Sequence, residues 1–426
     1  MWGLRPAIGN YGISFGLLET DEVFGNVTGG IHRAAAYDGL IQMSLGIDTA
    51  RAFGWQGGTF NISAFQIHGR SLSADNLGSL QTASGIEAQR ATRLWELWYQ
   101  QALVNGKLDV KAGQQSLDAE FIGSSGSGLF LNAAMGWPLI PSVDLYAGGP
   151  AYPLSSLGVR LRAQPIDNLI ILTGAFDDNP PGGSFNDDSQ VRGAEQSGTA
   201  FNVNTGALAI AEIQYAINQP SVGQMDKGSK SSSGLPGVYK LGAWFDSGAF
   251  ADQCFDTNGL SRASPDNNGV AKVHRDNWSI YGVIDQMLWR PAADGPRAVS
   301  VFARLMGAPS DRNLANFSIN AGLTFKAPLP SRDNDSFGIG YGLARISGNA
   351  SQLDANRAAF KAGPSPIRSS ESFIEVTYQA QLAPWLVLQP DFQYVFTPNG
   401  GIQDPIDPSQ RIGNEAVFGI RTNVTF

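Results

Sequence analysis

The segment Asn414 to Phe426 (NEAVFGIRTNVTF) constrains the chain most, because it alternates over its whole length and closes on an aromatic residue. Ala416, Phe418, Ile420, Thr422, Val424 and Phe426 share one face. Glu415, Val417, Gly419, Arg421, Asn423 and Thr425 share the other. A strand that is apolar on one side and carries Arg, Glu and Asn on the other suits a wall between lipid and water, the two-residue period of a transmembrane β-barrel.

Similar segments recur, and the spacing predicts strands near 12–19, 39–48, 58–68, 93–102, 107–114, 157–164, 168–176, 207–217, 238–247, 278–288, 298–306, 316–326, 336–346, 371–381, 385–396 and 414–426. Phe317, Ile319, Ala321, Leu323 and Phe325 oppose Ser318, Asn320, Gly322, Thr324 and Lys326 without ambiguity, whereas 58–68 and 278–288 are mixed and could shift by one residue. The connections alternate. Short turns at 104–106, 165–167, 291–296 and 382–384 interleave with long loops at 69–92, 115–156, 177–206, 248–277 and 347–370, as expected of short periplasmic turns and long outer loops. The expected fold class is therefore all-β: a closed antiparallel transmembrane β-barrel of 16 strands, with 18 as the alternative. It forms one domain over 1–426, with both termini on the periplasmic side. The segment 218–237 breaks the parity by its length, and its Gly, Ser and Lys content reads as a disordered insertion. A soluble β-sandwich gives no reason for such alternation.

Composition narrows the function classes. No apolar run reaches the ~18 residues of a transmembrane helix, and mean hydropathy is -0.12. A formal net charge of -8 argues against nucleic acid, whose phosphates call for a basic surface. The single cysteine, Cys254, excludes an internal disulfide. His32, His68 and His274 are far apart in sequence and lack metal-site spacing, so neither metal nor cofactor is expected. No GxSxG elbow or phosphate-binding loop occurs, and GSSGSG at 123–128 lacks the strand and helix that would flank one. The chain reads as no enzyme, with a barrel hydrolase carrying Ser and His on its outer wall as the minor alternative. No charged segment followed by an apolar one opens the chain, so an exported precursor is expected to have lost its signal peptide already.

A chain ending in such a strand on phenylalanine resembles bacterial outer-membrane proteins in general. More specifically, WGLR at 2–5, EVFGNVTGG at 22–30, YDGL at 37–40, GWQGGTF at 54–60, HGRSLS at 68–73, ATRLWELW at 91–98, GKLDVKAGQ at 106–114, GWP at 136–138 and GGPAYPL at 148–154 occur in an order and spacing that resemble the carbohydrate-selective outer-membrane porins of OprB type. The resemblance implies a sixteen-stranded barrel in a Gram-negative outer membrane, passing monosaccharides and similar polyols by diffusion. A general diffusion pore is the alternative. Where that family often has arginine after the KxG of the fifth strand, this chain has Gln114. The implied partners are outer-membrane lipid and small neutral sugars, in a homotrimer or a monomer.

A sixteen-stranded barrel encloses water unless loops fill it, so selectivity is expected from an inward-folding segment. The candidate is 115–156, where Gly123, Gly126, Gly128, Gly148 and Gly149 mix with Pro138, Pro141, Pro150 and Pro153; 69–92 is the second choice. Recognition of an uncharged sugar needs donors and acceptors for hydroxyls and an apolar surface for ring C–H groups. Candidate lining residues are His68, Arg70, Arg93, Glu96, Trp98, Lys111, Gln114, Asp118, Glu120, Arg160, Arg162, Glu375 and Arg421. Arginine forks beside carboxylates offer paired hydrogen bonds without a single-sign field that would favour ions. Trp98 and Trp244 suit either sugar stacking or interfacial anchoring.

Overall fold

The computed structural model describes residues 4–180, 197–201, 203, 205–219, 234–292, 295–360 and 365–426. Among these, sixteen segments are extended: β1 (Ile13–Thr28), β2 (Ala35–Asp48), β3 (Gly58–Gly69), β4 (Ala91–Leu103), β5 (Leu108–Gln115), β6 (Ser156–Ile166), β7 (Leu169–Asp177) and β8 (Ala207–Ile217), then β9 (Gly237–Asp256), β10 (Ala271–Trp289), β11 (Ala298–Gly307), β12 (Ala315–Lys326), β13 (Ser336–Ile346), β14 (Ser370–Ala383), β15 (Leu386–Phe396) and β16 (Glu415–Thr425). Each pairs antiparallel with its sequence neighbours, and β16 returns to β1, setting Glu22 opposite Arg421 and Thr20 opposite Asn423. Closure leaves no free sheet edge, so the strand ladders in the lipid layer pair with neighbouring strands of the wall.

The periplasmic turns are tight because their residues permit it. Val104, Asn105 and Gly106 take φ of 51°, 54° and 82°, a left-handed run in which Gly106 carries no side chain to clash. Only Asp167 and Asn168 separate β6 from β7, and only Pro384 and Trp385 separate β14 from β15. Outward positions such as Val159, Leu161, Ile213, Leu241, Ile280, Leu305, Ile339 and Phe418 are exposed, as a lipid-facing belt requires.

Two sets of bounds depart from the sequence reading. β1 continues from Glu19 to Thr28, because its alternation persists with Val23 and Val27 outward and the buried Glu22, Phe24 and Asn26 inward. β9 and β10 extend to Asp256 and back from Ala271, so most of the expected loop 248–277 is a two-stranded projection. Beyond the bilayer neither face meets lipid, so pairing continues after the hydrophobic alternation ends. Of the insertion 218–237, residues 220–233 lie outside the described residues, as do 181–196, 202 and 204 of the outer loop 177–206.

The barrel is not hollow throughout. Leu117, Phe121, Ile122, Trp137, Leu139, Ile140 and Leu145 of the connection 116–155 pack on inward side chains of the wall that include Leu172, Phe176, Leu208, Ile210, Trp244, Tyr281, Val283 and Met306. Leu72, Leu77 and Ala83 of the connection 70–90 join Leu131 against Phe24 and Val417. An apolar inner wall under an apolar loop face is a core within the lumen, driven by the removal of both surfaces from water.

Candidate constriction and pore lining

Connection 116–155 enters the barrel at the outer end of β5 and crosses to the opposite wall, where inward carboxylates accept its backbone N–H groups. Glu212 on β8 accepts from Ile122 N (2.8 Å). Asp285 on β10 accepts from Ser124 Oγ (2.7 Å) and Gly126 N (2.9 Å). Glu375 on β14 accepts from Leu131 N (2.5 Å). Arg304 on β11, 1% exposed, donates to the carbonyls of Ile122, Ala134, Met135 and Gly136 at 2.5–3.3 Å, while its fork is braced by Asn320 Oδ1 (2.9 Å). The loop returns the contact at Asp144, which accepts from Leu314 N (2.9 Å); burial pushes its carboxyl well above the usual range despite that bond. Glycine and small residues at 123–128 let the backbone approach the wall closely enough for these bonds.

Connection 70–90 is held in the same way. Glu371 on β14 accepts from Leu80 N (2.7 Å) and Gln81 N (2.8 Å), and the two loops bond each other through Gly85 N to Leu131 O (2.8 Å) and Ala133 N to Thr82 O (3.0 Å). Glu87, near its end, accepts from Ser71 Oγ, Ser73 N and Ser73 Oγ; burial pushes its carboxyl up to about 7 against the pull of those bonds.

Against the near wall a mixed-charge cluster forms. Glu120 of the loop is paired with Lys111 on β5 and, at 2.6 Å, with Nε of Arg160 on β6. Arg160 also pairs with Asp109, and Arg162 Nη1 lies 3.7 Å from Asp109 Oδ2. Lys111 sits 4.8 Å above the Trp98 ring, and Trp98 Nε1 donates to Glu96 Oε2 (3.2 Å). Arg93 and Glu96, three apart in sequence, both face inward because a β-bulge opposite Ser63 and Ala64 inserts one extra residue between them. Three cations (Lys111, Arg160, Arg162) thus face three carboxylates (Glu96, Asp109, Glu120). Asp118 braces the loop, accepting from Ser116 Oγ (2.5 Å) and Tyr152 N (3.1 Å). Arg421 faces inward on β16, pairs with Glu22 and donates to Ser84 Oγ (3.2 Å).

The remaining candidates fall elsewhere. His68 pairs in register with Gly39 on the outward face, one residue out of phase with the inward Ile67, so it does not line the lumen. Gln114 stands opposite Leu97 on the outward face and donates to Gly198 O (2.9 Å) and Trp95 O (3.1 Å); its inward neighbours are Gly113 and Gln115. Arg70 is exposed at the outer rim, its N–H on Tyr37 O (2.8 Å). Arg93 donates to Pro153 O (3.1 Å) and is buried, and Glu375 is occupied by loop amides. Trp244 is neither an interfacial anchor nor exposed for stacking, but 2% exposed under the loop. The sequence reading missed Glu212, Asp285, Arg304 and Glu371; each is an ionisable residue at an inward position of its strand, a signal that strand parity alone exposes.

A closed sixteen-stranded wall with a lipid-facing belt and loops folded into a polar lumen defines an outer-membrane diffusion channel. The model of the carbohydrate-selective porin, OprB family, matches residues 32–426, and the chain belongs to that family. Porin B of Pseudomonas aeruginosa is 25% identical over 443 residues, covering 100% of this chain and 90% of that protein. The putative porin QuiX of Acinetobacter baylyi is 23% identical, covering 93% and 87%. The high-pH structure of Pseudomonas putida OprB superposes with a TM-score of 0.83 at 22% identity, over 100% of this chain and 97% of that one. The protein is a sugar-selective porin of the Gram-negative outer membrane and not an enzyme.

Proposed function

We propose that the porin selects monosaccharides and similar polyols over disaccharides at a constriction formed by 116–155 and 70–90 against β4–β6. The observation that carries this reading is Glu120, a loop carboxylate bridging Lys111 and Arg160, which fixes the loop beside a charge-balanced wall. Equal numbers of cations and carboxylates cancel the long-range field, so ions gain little while hydroxyls find fixed donors and acceptors. Arg162, Glu120 and Trp98 keep part of their surface open. A sugar ring can lay its C–H face on Trp98 and direct hydroxyls to Arg162 and Glu120. Affinity need only be weak: a Kd on the order of 1 mM corresponds to ~4 kcal/mol, and tighter binding slows exit.

Liposome swelling tests the reading. Glucose-sized sugars are expected to enter faster than maltose-sized ones. Equal rates would reduce the protein to a pore without size preference among sugars.

A further inference from the structure

At the outer end of the barrel two acidic side chains meet with no basic side chain between them. Asp178 follows directly on β7 and is 1% exposed; Asp246 points inward from β9 and is 0% exposed. Each uses one carboxylate oxygen within the protein. Asp178 Oδ1 accepts from Thr205 Oγ1, and Asp246 Oδ1 accepts from Gly248 N (2.8 Å). The second oxygens, Asp178 Oδ2 and Asp246 Oδ2, are buried and accept no hydrogen bond among the described residues. The two carboxyls lie within hydrogen-bond reach of each other, and Asp177 at the end of β7 adds its charge to the field at Asp246.

Glycines allow this approach. A Cβ on Gly248 would fall 2.9 Å from both Asp178 Oδ2 and Asp246 Oδ1, and one on Gly206 would overlap Asp178 Oδ2. Tyr146 of connection 116–155 closes another side: its Cε2 is 2.9 Å from the same point beside Gly248, and its hydroxyl donates to Ala249 O. Like charges buried in contact cannot both stay ionised without a positive partner, and a buried oxygen without a donor costs free energy.

We propose that Asp178 and Asp246 hold a divalent cation of the Ca²⁺ type at the outer mouth. Its charge balances two carboxylates, and both available donors are the hard oxygens that Ca²⁺ takes, with water and backbone carbonyls filling the rest of its irregular shell. Mg²⁺ fits less well, because it demands a near-ideal octahedron. The ion ties Asp178, where the chain leaves β7, to β9 beside Tyr146. It therefore steadies the outer mouth and stands apart from the cluster on β4–β6. A proton shared by the two carboxyls is the competing way to cancel the charge, and it needs no metal.

Chelator-stripped wild type in detergent is titrated with Ca²⁺ by calorimetry and with Tb³⁺, whose emission Tyr146 beside the site can excite. One Ca²⁺ per barrel is expected, and Ca²⁺ should displace the Tb³⁺ signal. Asp178→Asn sets an amide N–H against Asp246 and so cancels the repulsion without a metal; it is expected to lose the Ca²⁺ heat and at least tenfold of the Ca²⁺-displaceable emission. Asp266→Asn, which removes an exposed carboxylate from the β9–β10 projection, should bind as the wild type does. No Ca²⁺ binding to the stripped wild type would overturn the proposal in favour of the shared proton. Wild-type binding by Asp178→Asn, or an equal loss in Asp266→Asn, would overturn it as well. Should Asp178→Asn fail to assemble, Asp246→Asn is read in its place.

Discussion

Replacing Arg304 with Met should undock the constricting loop while leaving the wall intact. The guanidinium donates to four loop carbonyls and is almost fully buried, so its loss strips charge-assisted bonds that are each worth ~1.5–3 kcal/mol where water cannot replace them. Met fills part of the volume that the guanidinium leaves, which lowers the expected cost to about 3–5 kcal/mol. That is roughly a 100-fold to 5000-fold change in the ratio of docked to undocked loop. The β11–β12 ladder does not depend on the side chain, since its bonds are backbone to backbone. Hydrogen exchange read by mass spectrometry should show peptides from 117–150 exchanging at least tenfold faster, with barrel peptides unchanged, and single-channel records should become noisier. Unaltered exchange across 117–150 would show that Arg304 does not pin the loop. Equal loss of protection in the strands would show instead that it stabilises the wall.

Excising Ser125–Leu129 should raise single-channel conductance with far-UV circular dichroism unchanged, since these residues contribute no ladder bonds; unchanged conductance would place the narrowest point elsewhere. Arg160→Ala removes the partner of Asp109 and Glu120 and should shift the reversal potential in a salt gradient toward cation selectivity. For Glu87 the folded carboxyl is raised to about 7 from 4.5, so its contribution to loop packing is complete below about 4.5 and is lost as pH rises through 7. Discounted for its partial exposure, the effect is about 1–3 kcal/mol. Current fluctuations should increase between pH 5 and pH 8 in the wild type and be pH-independent in Glu87→Gln.

Much of the wall was legible because lipid imposes a hard rule on alternate residues. Every expected strand has a counterpart in the barrel, and β16 and β12 keep the phase read from their sequences. The rule fails where its cause is absent. Above the bilayer, β9 and β10 remain paired through Asp256 and Ala271 without an apolar face to announce them. Under the loop, Tyr281 and Val283 face inward but are buried, so 278–288 is apolar on both sides and reads as ambiguous.

Residues of the constriction were legible only as far as phase reached. Asp109, Lys111, Arg160, Arg162 and Arg421 follow from alternation alone, since an arginine toward lipid at mid-membrane costs roughly 2–4 kcal/mol and the opposite face of each strand is apolar. Phase cannot say what a loop from 116–155 will touch. Glu375 sits at an inward position that alternation assigns to the lumen, but it accepts from the Leu131 and Asn132 amides, because a loop buried in the lumen must find acceptors for its own amides. The same need explains why Glu212, Asp285, Glu371 and Arg304 sit on four different strands: each meets the backbone where a loop passes. His68 and Gln114 failed for a simpler reason. Both carry polar groups suited to a hydroxyl, and in each case the inward position is the adjacent residue, Ile67 or Gln115. In a wall with a two-residue period, side-chain type proposes a role but parity decides which side of the membrane barrier receives it.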